Sequence, residues 1–99
     1  MKTISRKPTS PGEILNEEFL IPLGLTQKQL AEHIGCDIKV INRIINERTS
    51  VTAEMALKLA ATFKTTPDFW LNAQKAMDIY SATRRLAKLP APLMNRKAG

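Results

Sequence analysis

One cysteine and one histidine occur in 99 residues. Cys36 therefore has no intramolecular disulfide partner, and together with His33 it cannot complete a zinc or other soft-ligand site from the chain's own side chains. No cofactor is expected. Apolar runs are short: the stretch from Phe19 to Pro22 is typical, far below the roughly 20 residues a membrane helix needs. Residues 1–10 hold Lys2, Arg6 and Lys7 but no apolar segment and no small-residue cleavage site, so no secretory signal is expected, and the expected location is the cytoplasm. No stretch alternates apolar and polar residues between turn signals, which leaves no candidate strand. A nucleophile elbow, a phosphate-cradling glycine loop and a metal-ligand pair are all missing. Glu17 and Glu18 are adjacent, but successive helical residues point about 100° apart, so they do not form a general acid–base pair. The expectation is a protein that is not an enzyme, with neither catalytic nor metal-binding residues.

Carboxylates are missing from both ends. Residues 1–12 carry three basic groups and residues 84–99 carry five, whereas residues 13–83 hold seven basic and nine acidic groups. The net charge of +6 thus resides in the termini, and the middle of the chain is slightly acidic. A basic total alone does not make the folded surface basic. Prolines at 8 and 11 and at 90 and 92 mark the ends as non-helical. The expected organisation is a flexible basic arm over residues 1–10, one domain over 11–86 and a flexible basic tail over 87–99.

The middle reads as five helices. Ser10 is the expected N-cap of the first, with Pro11 at its first position, and Pro22 and Gly24 are expected to end it after about Leu20. Thr26 and Gln29 make a capping box for a second helix carrying Leu30, Ala31 and Ile34, stopped by Gly35. Asp37 caps a third from Ile38 to about Asn46. Thr52 caps a fourth with the apolar spacing Ala56, Leu59, Ala60, Phe63. Thr66 and Pro67 start the longest, whose stripe is Trp70, Ala73, Met77 and Tyr80 and which reaches at least Ser81. Cys36, in the turn, reads as a small buried hydrophobe, and His33 as a surface group.

Two short helices joined around a glycine form the helix-turn-helix unit, whose second helix can enter a DNA major groove. At about 100° per residue from Ile38, Ile41, Ile44 and Ile45 fall between about 240° and 340°, and Asn42, Asn46, Lys39 and Arg43 between about 40° and 140°. The polar face holds two amides, two cations and no carboxylate. Arg or Lys can donate to guanine O6 and N7, and Asn can make paired contacts to adenine. Ile38 and Val40 flank this face and are candidates to rest on thymine methyl groups. Arg48, Lys28 and Gln27 are candidates to meet phosphates, helped by the N-terminus of the second helix. Asp37 and Glu47 oppose the reading, each placing a negative charge near a polyanion; Asp37 has a sufficient reason as an N-cap, and orienting Arg43 or Arg48 would give Glu47 a role.

Pro11-Gly12-Glu13-Ile14-Leu15, Glu18-Phe19-Leu20, Pro22-Leu23-Gly24-Leu25, Met55 through Ala60, and Thr66-Pro67-Asp68-Phe69-Trp70-Leu71-Asn72 with Gln74 resemble the HigA/VapI antitoxins. Residues 26–46 are similar to the wider lambda-repressor-like helix-turn-helix class. The resemblance implies an all-α, five-helix DNA-binding domain that is dimeric, represses its own operon and neutralises a HigB/RelE-type ribonuclease toxin. It places Gln27, Ile38, Lys39, Asn42, Arg43 and Asn46 at DNA-facing positions. Two departures are the glycine usual after Asn46, which is Glu47 here, and Cys36 in place of a small aliphatic residue. Some members of this fold are solitary or phage-type repressors without a toxin, and a pure protein-interaction module is a third class.

A dimer would use apolar area left on the long last helix, with Trp70, Met77 and Tyr80 as candidates. Two recognition helices about 34 Å apart would then call for a near-palindromic operator. An RNA-binding toxin is expected to be basic, which makes Glu13, Glu17 and Glu18 the candidate toxin contacts.

Overall fold

The computed structural model describes residues 6–94, so Lys2, Arg96 and Lys97 of the basic ends lie outside the described residues. Helix α1 occupies residues 11–23 in three continuous pieces: an α-turn at Pro11–Ile14, a wider π-wound stretch at Leu15–Leu20 and a closing turn at Ile21–Leu23. It is followed by α2 (Gln27–Ile34), α3 (Ile38–Ile45), α4 (Ala53–Phe63) and α5 (Pro67–Arg85). Among the described residues there is no strand, and no helix is long and apolar enough to cross a membrane.

All five helices start at a side chain that accepts a backbone N–H. Ser10 takes the N–H of Glu13 at 3.1 Å, Asp37 that of Lys39 at 2.8 Å, Thr52 that of Met55 at 3.2 Å and Thr66 that of Phe69 at 3.1 Å. Thr26 and Gln29 close the full capping box, at 3.0 and 2.8 Å. Each cap satisfies a donor that the first helical turn leaves without an intrahelical partner.

The end of α1 departs from expectation. The helix runs on to Leu23 and takes Pro22 inside its last turn instead of stopping at Leu20. Pro22 has no N–H to give, and its ring disfavours a regular i−4 turn ahead of it. The preceding π winding, in which Ile21 N–H reaches Asn16 O, is consistent with that constraint. Termination comes from Gly24, whose φ of 66° lets Leu25 N–H return to Leu20 O and Gly24 N–H to Ile21 O, a Schellman closure.

The core is one cluster drawn from every helix, with Leu15, Leu20, Leu30, Ile41, Leu59 and Trp70 fully buried. Trp70 lies among Phe69, Phe19 and Phe63, ring centroids 5.1, 5.5 and 6.4 Å away, and its Nε1–H donates to Thr65 Oγ1 at 2.8 Å. Such pairs add about 0.5–1.5 kcal/mol each beyond area burial. Because Trp70 has 0% exposure, it presents no surface to a second chain. This corrects its place among the dimer candidates: the indole is consumed by the aromatic cluster of its own domain. Cys36 is half-buried and packs against the core, and His33 is exposed.

Gly12 sets the position of α3. A Cβ there would fall on the carbonyl oxygen of Ile44 and within 2.7 Å of Ile45 Cα, so the start of α1 touches the end of α3 backbone to backbone. Only a glycine permits that approach.

Candidate nucleic-acid interface

Helix α3 is held from beneath by Ile41 and Ile44, with 0% and 3% exposure, and by half-buried Ile45. Its opposite side is solvent-facing. Lys39, Asn42, Arg43 and Asn46 are all exposed, and Gln27 from α2 joins Ile38, Lys39, Asn42 and Arg43 in lining one shallow groove. The short α2–α3 turn makes this convergence possible. Gly35 at φ 84° and Cys36 send their N–H groups back to Ala31 O, and Asp37 immediately caps the next helix.

The three amides form a chain. Asn46 Nδ2 donates to the backbone and side-chain oxygens of Asn42, at 2.9 and 3.2 Å, and Asn42 Nδ2 donates to Gln27 Oε1 at 3.2 Å. These bonds fix the direction of each amide: Asn46 spends its Nδ2 donors on Asn42 and keeps its Oδ1 lone pairs, while Asn42 and Gln27 each keep an N–H and a lone pair for the paired contact a base edge requires.

Of the two apolar residues expected at the edge of this face, only Ile38 is there, with 44% exposure. Val40 is half-buried and packs against the core, because two residues along the helix from Ile38 it falls on the side of Ile44. Lys28 is exposed in the first turn of α2, and Arg48 is exposed just past α3.

The turn after α3 resolves the missing glycine. Glu47 takes φ 59°, the left-handed conformation a glycine would supply, and the closure is complete: Arg48 N–H reaches Arg43 O and Glu47 N–H reaches Ile44 O. The Glu47 carboxylate pairs with neither Arg43 nor Arg48. It meets Lys7 Nζ at 3.0 Å. The hydrogen bond and charge of Glu47 hold the Lys7 ammonium above its ordinary pKa.

A second tie was not foreseen. Gln74 Oε1 of α5 accepts the N–H of Val51 at 2.9 Å, and its Nε2 donates to Asp78 Oδ1 at 2.9 Å, so the loop leaving α3 is pinned to the last helix. Gln74 stood in the family-like motif without a role. Lys7 reads in the sequence only as one cation of the basic arm, and a segment without periodicity gives no sign that it meets Glu47.

Residues 17–70 match the family described as Helix-turn-helix. The chain is 43% identical over 96 residues to antitoxin HigA-1 of Vibrio cholerae, covering 94% of this chain and 90% of that one. It belongs to the HigA-type helix-turn-helix family. The structure of antitoxin GraA in complex with its operator matches with a TM-score of 0.78 and 36% identity, covering 92% of this chain and 100% of that one. Pseudomonas aeruginosa antitoxin HigA with the higBA promoter matches with a TM-score of 0.81 and 29% identity, over 89% and 100%. HigA-type proteins are regulators and antitoxins, not enzymes.

Proposed function

We propose that this HigA-type protein binds operator DNA in its own promoter as a homodimer, represses that operon and neutralises a HigB/RelE-type ribonuclease toxin. The observation that carries the reading is the carboxylate-free outer face of α3, with its amides already hydrogen-bonded in line. Lys39 and Arg43 serve guanine edges, Asn42, Asn46 and Gln27 serve adenine edges or phosphates, and Ile38 serves a thymine methyl. Lys28 and Arg48 meet phosphates. The GraA and Pseudomonas HigA structures, which hold operator and promoter DNA, support the assignment by likeness.

The dimer contact is assigned to α5, where Met77 and Tyr80 are half-buried and Phe69 and Ile79 of the same helix are 39% and 47% exposed. Toxin contact is assigned to Glu13, Glu17 and Glu18, all exposed on α1. Reversing Glu13 and Glu17 to Lys is expected to abolish co-purification of the toxin from a folded protein, and unchanged capture removes α1 from that interface.

The test of the whole reading is a reporter driven by the protein's own promoter, combined with expression of the adjacent open reading frame. Repression of the reporter and rescue from a toxic small basic neighbour support it. Repression with a harmless neighbour makes the protein a solitary repressor, and failure to repress removes the DNA reading.

A further inference from the structure

A carboxylate in the turn that ends a recognition helix lies beside the path of a polyanion. Glu47 is there in a left-handed conformation, φ 59°, that a glycine would adopt without strain. It directly follows Asn46 of the reading face and precedes Arg48. Among the described residues its ion-pair partner is Lys7, delivered by the segment that leads into the Ser10 cap. Ser10 is buried and Pro11 and Gly12 pack against α3, so the chain leaves the domain at a fixed point and passes the end of the recognition helix.

We propose that Lys7 is a positioning residue of the DNA interface: by pairing with Glu47 it cancels the one negative charge in the turn that ends the recognition helix. The inference rests on the DNA-binding reading above. The pair is neutral as a unit, so its two members have opposite effects on DNA affinity when removed singly. Lys7→Ala exposes a bare carboxylate to the phosphates and weakens binding to operator and to unrelated duplex by the same factor, roughly two- to fivefold per chain. Glu47→Gln frees the Lys7 ammonium for a phosphate, which tightens binding and steepens the slope of log affinity against log salt by about 0.9 per chain. The double variant, neutral again, returns to near wild-type affinity.

The experiment is a titration of the full-length protein and the three variants with its own promoter fragment and with an unrelated duplex of equal length, at several salt concentrations. Thermal melts of each variant serve as the folding control. Opposite shifts for the single variants and recovery in the double one are expected. If Glu47→Gln weakens binding as Lys7→Ala does, with no recovery in the double variant, the pair serves only to hold the turn and the proposal is overturned. If the wild-type protein binds neither duplex, the DNA-binding reading fails and this inference with it, an outcome distinct from parallel losses in a protein that does bind.

Discussion

Gly12 sits where α1 and α3 meet backbone to backbone, and the obstacle to any side chain there is the main chain of Ile44 and Ile45, which cannot rotate away. Gly12→Ala is therefore expected to destabilise the domain by about 1–3 kcal/mol through overpacking. Urea denaturation measures that loss. The operator affinity of the folded fraction should fall as well, because relief of the clash moves the end of the recognition helix. Lys64 presents the reverse case. It closes α4 at φ 56° with Thr65 N–H returning to Ala60 O, and its side chain takes part in no ion pair found among the described residues. Lys64→Gly should raise stability by about 0.5–1 kcal/mol, and a lower denaturation midpoint would contradict that account. Trp70→Ala removes the centre of the aromatic cluster and the partner of Thr65, with an expected loss of about 3–5 kcal/mol.

Helix starts were more legible than helix ends. Ser10, Thr26, Asp37, Thr52 and Thr66 all cap as their sequence positions indicate, because an N-cap depends on one side chain and an N–H two or three residues away. The extension of α1 through Pro22 was not legible: π winding leaves no periodic trace in the sequence. The geometry after Asn46 was equally closed to inspection, since a glutamate at a glycine position predicts strain or a different turn, and what Glu47 contacts depends on where Lys7 arrives. The face of α3 was legible because Ile41 and Ile44 define it from within. Val40 was misplaced because a residue at the margin of a stripe is assigned by the helices packed around it. The link between elements gives a further prediction. Gln74→Ala leaves the part-buried N–H of Val51 without an acceptor, so stability should fall by about 1–3 kcal/mol. Loss of operator affinity in a protein still fully folded at the assay temperature would show that α5 positions the loop behind the recognition helix.

At the scale of the molecule, charge and chemistry are divided between parts. The span of the five helices, residues 11–85, holds nine basic and nine acidic groups, because α5 takes in Arg84 and Arg85, and the net +6 lies in Lys2, Arg6, Lys7, Lys88, Arg96 and Lys97. Much of the non-specific attraction to DNA is thus assigned to the ends, while base preference is assigned to α3. Deleting residues 88–99 removes Lys88, Arg96 and Lys97 and should make the salt dependence of operator binding shallower while base preferences are retained. An unchanged slope would mean that these cations do not meet DNA. The central claim is that the outer face of α3 reads sequence. Its most direct measurement compares the wild-type protein with Arg43→Ala on the protein's own promoter fragment and on a scrambled duplex of equal length, at one salt concentration. The account predicts that Arg43→Ala loses about 1–3 kcal/mol per half-site on the promoter and little on the scrambled duplex. An equal loss on both duplexes would contradict it and reduce Arg43 to a phosphate contact.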